Sequence, residues 1–242
     1  MLQKNIELNK INAFSNISEI SLKKLGEIGS KITLKRNAIL FFEKDVISKI
    51  YVIYSGKVSL FRINQNGQRR IIYILDEGEI INEVIFDDLP ASISCEGFEN
   101  SIILEFNKEK LLEIMKDDFV LTQNIMNSMG RKIRRLYRQI KNTIPMGMDK
   151  KIAAKLWKLS KDYGTNCCNS QCENHFDDCE CKKWTRLDIK ISVTYLADML
   201  GSSRETVSRE MTKLKNLNLI KWKENKKLVV NREALLKYYR DL

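Results

Sequence analysis

The chain has 242 residues, a formal net charge of +11, six cysteines and a single histidine. It holds no run of about eighteen apolar residues, and its N-terminal MLQKNIELNKINAF lacks the apolar segment of a signal peptide, so a cytoplasmic protein away from the membrane is expected. One histidine, no phosphate loop and no paired catalytic carboxylates argue against an enzyme, while the positive charge favours a polyanionic partner.

In chain order, SEISLKKLGEIG has helical spacing, with Ser18 or Ser21 as N-cap and Gly26 or Gly29 near its end. From about Lys31 to Glu105 short β-type runs alternate with turn signals: KIYVIYSGKVSLFRI, NQNG, QRRIIYIL, DEGE. This pattern predicts an antiparallel meander closed into a small barrel or roll. Asn66-Gly67 has the chemistry of a tight hairpin, and Gly56 and Gly78 mark further turns. Cys95 stands alone on an apparent strand, where a buried thiol serves packing.

A long helix is predicted from about Asp118 to Asn142. Met126, Met129, Ile133, Leu136 and Ile140 alternate spacings of three and four, and RKIRRLYRQIK places cations around them. So narrow an apolar seam on a charged helix predicts a parallel dimer, the competing reading being a helix lying on its own core. Pro145 and Gly147 then mark a hinge, and DKKIAAKLWKLSKDYG predicts a second helix with Ile152, Leu156 and Leu159 on one face and Gly164 as its stop.

CCNSQCENHFDDCEC, residues 167–181, gathers five of the six cysteines and the histidine. In a reducing compartment such a cluster points to metal or redox chemistry before a permanent disulfide. Its acidic neighbours raise thiol pKa values and disfavour a bare thiol switch, whereas a bound cation reverses that logic. Cys167, Cys168, Cys172, Cys179 and Cys181 are the candidate ligands, with His175 in reserve. An iron-sulfur cluster and a zinc ion both fit the residue types, and reversible disulfides remain a third reading.

WTRLDIKI predicts a strand, and SVTYLADMLGSSRETVSREMTKLKNLNLI predicts two helices joined by a tight turn. Leu196, Ala197 and Leu200 form the inner face of the first helix, and Val207, Met211 and Leu214 that of the second. Gly201 fits the turn and Ser202 or Ser203 the cap. Arg204, Glu205, Ser208 and Arg209 then share the solvent side, where arginine can donate to guanine and glutamate accept from cytosine in a major groove. A plain Glu205–Arg209 surface pair is the alternative. IKWKENKKLVV reads as a wing with cations at its tip, and residues 182–242 carry +8 of the net +11.

This order of elements, with SSRETVSR opening the second helix of the pair, resembles the CRP/FNR family of bacterial transcription regulators over nearly the whole chain. The resemblance implies an α+β chain: an N-terminal antiparallel β-roll at 1–116, a long dimerisation helix at 117–144, and a C-terminal winged helix-turn-helix at 145–242 carrying the cysteine-rich stretch. It implies a homodimer on a palindromic double-stranded operator, working with RNA polymerase. Arg204, Glu205 and Arg209 match the family's base-reading residues, and Ser208 matches one used in the FNR branch; Ser202 and Ser203 complete the DNA-facing set.

Members that bind cyclic AMP carry Gly-Glu-Leu followed by Arg-Ser. Here NEVIFDDLPASIS keeps Glu83 and Ser92, but Asn82 replaces the glycine and Ala91 the arginine. A cyclic phosphate would lie buried without its cation, so a cyclic nucleotide is not expected, and Glu83 reads as a relic held by backbone amides. The family's haem and N-terminal iron-sulfur ligands have no counterparts, which leaves residues 167–181 as the expected sensor of redox state, oxygen or nitric oxide. Alternatives are a structural zinc loop with a small effector in the roll, or a scaffold that does not bind DNA.

Overall fold

The computed structural model describes residues 7–141, 146–166, 183–223 and 227–240, and the chain divides into two units, Met1–Asn142 and Thr143–Leu242. The first unit opens with two short 3-10 turns, Leu8–Lys10 and Asn12–Phe14, and α1 (Glu19–Ile28). Strands β1 (Gly29–Leu34), β2 (Ile39–Phe41), β3 (Lys49–Ser55), β4 (Val58–Ile63) and β5 (Arg69–Leu75) follow. After a 3-10 turn at Glu83–Asp87 come β6 (Ser94–Gly97), β7 (Ser101–Asn107), α2 (Lys108–Asp117) and α3 (Phe119–Lys141). The strands form two antiparallel sheets, ordered β1-β7-β3 and β2-β6-β4-β5, so the expected meander is replaced by a roll in which only β4 and β5 pair as sequence neighbours and the other ladders join distant strands.

Period-two alternation divides the core. On β3 and β7, Ile50, Val52, Leu104 and Phe106 face the helices and pack with Leu25, Leu111, Ile114, Leu121 and Ile125. Their neighbours Ile53 and Ile103 point the other way, into the roll, against Val58, Leu60, Leu75 and Cys95. The turn after β4 departs from a two-residue hairpin. The Gly67 N–H donates to the Asn64 carbonyl, and the Asn64 N–H to the Gln68 carbonyl. Gly67 alone takes positive φ, at 74°, because the longer loop asks for one left-handed residue instead of two.

Ser18 caps α1 by accepting from the Ser21 N–H at 3.1 Å, so Ser18 and not Ser21 is the N-cap. Helix α3 has two working faces. Leu121 and Ile125 are fully buried and Met129 packs partly on the same core. Met126, Ile133 and Leu136 remain 51%, 46% and 41% exposed. The heptad pattern therefore mixes two surfaces: Met129 serves its own unit, the other three lie open, and the Ile140 side chain is outside the described residues.

The second unit comprises α4 (Met148–Tyr163), β8 (Gly164–Asn166), β9 (Trp184–Leu187), α5 (Val193–Leu200), α6 (Arg204–Asn216), β10 (Ile220–Lys223), β11 (Lys227–Asn231) and α7 (Arg232–Arg240). One antiparallel sheet runs β10-β11-β9-β8. Ile152, Leu156 and Leu159 of α4 are buried, as their spacing predicts. Gly164 caps the end of that helix in extended backbone at φ −110°, and the position takes glycine for want of space, because a Cβ there would lie 2.2 Å from the Ser160 carbonyl oxygen. Among the described residues no helix is long and apolar enough to cross a membrane.

Candidate nucleic-acid interface

Helices α5 and α6 form the predicted helix-turn-helix, and local chemistry sets each boundary. The Ser192 hydroxyl accepts from the Tyr195 N–H at 3.0 Å and starts α5. Gly201 ends it with φ 64°, a left-handed conformation that glycine adopts without steric cost, while the Ser202 N–H returns to the Ala197 carbonyl. Ser203 then caps α6 by accepting from the Thr206 N–H at 3.1 Å. Within α5, Leu196, Ala197 and Met199 are buried and Leu200 only partly so, which shifts the inner face one residue from the sequence expectation.

On α6 the spacing holds. Val207, Met211 and Leu214 are buried against the unit, which turns Arg204, Glu205, Ser208 and Arg209 to solvent together with Ser203, while Ser202 is half-buried. The Glu205–Arg209 surface pair does not form: the Arg209 Nε donates to Glu210 at 3.2 Å, and the Arg209 side chain remains three-quarters exposed. Glu205's own N–H, and after it the Ser203 hydroxyl, hold the Glu205 carboxylate below its usual pKa. It is therefore charged and a pure acceptor at neutral pH. The exposed face thus offers two guanidinium groups, a carboxylate and a hydroxyl on the first turn and a half of a capped helix, the end that reaches base edges when such a helix enters a major groove.

The wing is a hairpin of β10 and β11, in register from Ile220↔Val230 to Lys223↔Lys227, whose tip, 224–226, lies outside the described residues. Lys221 sits 4.2 Å from the Trp184 ring centre, a cation–π contact that joins the wing to β9. A cluster that spacing did not flag fixes α6 from behind. One oxygen of Asp149, in the first turn of α4, accepts from both Lys213 Nζ of α6 and the Tyr238 hydroxyl of α7, each at 2.6 Å. These bonds lower the Asp149 pKa to about 2, against an opposing effect of burial. An acid just after a helix break is the only sequence signal, and it reads equally as helix-dipole compensation.

In the roll, Glu83 is buried, but backbone amides do not hold it. Its two oxygens accept from Ser128 Oγ at 3.1 Å and Lys132 Nζ at 2.5 Å, both from α3. Ala91 is buried where the resemblance would require arginine, and Ser92 is exposed. Asn82 is also buried: it accepts from the Tyr51 N–H and donates to the Lys49 carbonyl, tying the Glu83 turn to β3. These residues do not fit a cyclic nucleotide, because the Glu83 carboxylate is already satisfied by Ser128 and Lys132 and among the described residues no arginine pairs with it. Cys95 is wholly buried, and burial followed by the Glu96 charge pushes its thiol pKa up, as for a packing residue. Cys167, Cys168, Cys172, Cys179, Cys181 and His175 lie outside the described residues, among which no metal-ligating cluster occurs.

Residues 31–118 match the cyclic nucleotide-binding domain and residues 150–238 the Crp-like helix-turn-helix domain. The anaerobic regulatory protein of Bacillus subtilis is 22% identical over 215 residues, 88% of this chain and 84% of that protein. The CRP-like cAMP-activated global transcriptional regulator of Mycobacterium tuberculosis is 19% identical, over 94% and 96%. Among solved structures, a CooA variant from Carboxydothermus hydrogenoformans superposes with a TM-score of 0.72 at 16% identity, over 99% of this chain and 98% of that one. FixK2 from Bradyrhizobium japonicum gives 0.70 at 13% identity, over 87% and 96%. With both domain models in their expected order and an exposed, capped second helix of the pair, the chain belongs to the CRP/FNR family of DNA-binding transcription regulators, which are not enzymes.

Proposed function

We propose that the protein regulates transcription as a homodimer joined along α3, with each α6 in a major groove of a palindromic operator, acting with RNA polymerase under the control of a metal centre at residues 167–181. The observation that carries the DNA reading is the sorting of α6, apolar residues inward and Arg204, Glu205, Ser208 and Arg209 outward. Arg204 and Arg209 contact guanine, Glu205 accepts from cytosine, and the N–H groups behind Ser202 and Ser203 take backbone phosphate. The open face of α3, with Met126, Ile133 and Leu136, supports a helix-to-helix dimer.

The sensing half of the reading rests on the five thiols at 167, 168, 172, 179 and 181. Strands β8 and β9, which flank them, pair from Gly164↔Leu187 to Asn166↔Thr185 in the sheet that holds the wing. Ligation by four of these cysteines, of an iron-sulfur cluster first and of zinc second, would bear directly on the DNA-reading unit, and cluster loss to oxygen, nitric oxide or oxidant would release it.

Purification without oxygen, with metal analysis and a visible spectrum, followed by selection of bound duplexes from a random pool, tests both halves. A palindromic sequence and a broad visible band that bleaches in air are expected, and Arg209→Ala should weaken discrimination at one base pair by about 1–3 kcal/mol. A colourless protein with one zinc per chain would replace the cluster with a structural ion, and no enriched sequence would remove the operator-reading role.

A further inference from the structure

The second half of α3 is fastened to the roll by polar groups. Ser128, Lys132, Arg135 and Gln139, at spacings of four, three and four, form one stripe. Ser128 and Lys132 bind Glu83, Arg135 pairs with Glu79 at 2.8 Å, and Gln139 donates to the Ile72 carbonyl at 3.2 Å. The Tyr73 hydroxyl, from the roll, donates to the Lys132 carbonyl.

Lys132 is the centre of this stripe. Its ammonium spends its donors on Glu83 and on the Ile80 and Ile81 carbonyls, at 2.6 and 3.3 Å. The Glu83 side chain is 2% exposed and that of Lys132 14%. A buried ion pair is a poor source of stability compared with apolar residues of the same volume, but its directional bonds fix one arrangement of the parts it joins. The parts joined here are the turn where a cyclic nucleotide-binding domain would meet its ligand and the helix that also carries the exposed Met126, Ile133 and Leu136.

We propose that Lys132 and Glu83 form an internal latch that replaces a cyclic nucleotide: the chain's own ammonium docks α3 on the roll and sets the rotation of its open face, so DNA binding needs no nucleotide. Lys132 is a positioning residue in this scheme. The proposal rests on the dimeric, DNA-reading function above, and its test includes readouts that do not use DNA.

Replacing Lys132 alone would strand the Glu83 charge and could unfold the roll, so the informative variant carries Lys132→Met and Glu83→Met together, which removes both charges at similar volume. The full-length parent is expected to bind its selected duplex without additive, and to show no heat on titration with cyclic AMP or cyclic GMP. The double variant should melt like the parent, yet bind the duplex at least tenfold more weakly and exchange the amides of residues 128–139 at least tenfold faster. Parent-like amide protection in the double variant, or saturable nucleotide binding by the parent, would overturn the latch. If no duplex is selected, the DNA-reading function fails, and amide exchange and nucleotide titration still decide the latch.

Discussion

At the scale of single residues, Asp149 shows how a side chain outside the exposed set of α6 holds that helix. Its carboxylate joins α4 to both α6 and α7, and the ordinary carboxylate pKa falls to about 2 because Lys213 and Tyr238 donate to the charged form. A group whose pKa is depressed in the folded state stabilises the fold above its unfolded pKa, and that contribution disappears as pH falls through the ordinary carboxylate range toward about 2. Asp149→Asn should therefore cost about 1–2 kcal/mol at neutral pH and flatten the acid limb of stability, read from denaturant midpoints between about pH 6 and about pH 2. The two pocket positions show the limit of matching by residue type. Glu83 is where the resemblance puts it, but its partners, Ser128 and Lys132, are 45 and 49 residues away, and no local pattern connects them.

At the scale of elements, capping made the helix starts legible while packing decided their faces. Ser192 and Ser203 cap α5 and α6 with side-chain bonds three residues ahead, a signature readable from sequence. Asp118 does more. It caps α3 by accepting from the Leu121 N–H at 3.1 Å and also accepts the Ser18 N–H at 3.0 Å across 100 residues, fixing α1 against the start of α3. Burial opposes its charge, but bonds from Ser21, Ser18 and Leu121 outweigh burial and lower its pKa to about 2. Asp118→Ala and Asp118→Asn are each expected to cost about 1–2 kcal/mol, measured by chemical denaturation, because the amide keeps one acceptor but sets an NH2 against the second N–H donor and loses the charge. On helix α3 the heptad positions divide between two surroundings. The heptad grouped Met129 with Met126 and Ile133, yet Met129 packs on its own core, and Ser128 and Lys132, polar residues that break an apolar pattern, face inward.

At the scale of the whole molecule, charge sets how strongly a DNA partner is held. With +8 of the +11 in residues 182–242, operator binding should release many counterions. If about six phosphates are contacted, affinity should fall by roughly 10³-fold between about 50 and about 200 mM salt, and a near-flat salt dependence in filter binding would contradict this interface. Composition, turn chemistry, caps and periodicity by themselves determined the order of elements, the antiparallel roll, the helix-turn-helix and the outward set on α6. The turns, the caps and the outward set depend on residues within a few positions of one another, whereas the pairing of the roll's strands, such as Gly29 with Phe106, does not. Tertiary structure alone decided that the long helix carries an inward polar stripe beside its exposed apolar one, that Lys132 closes on Glu83, and that Asp149 holds α6 in place. Those contacts join residues dozens of positions apart, and their energy comes from shared burial and donor–acceptor geometry, which exist only once the chain has folded.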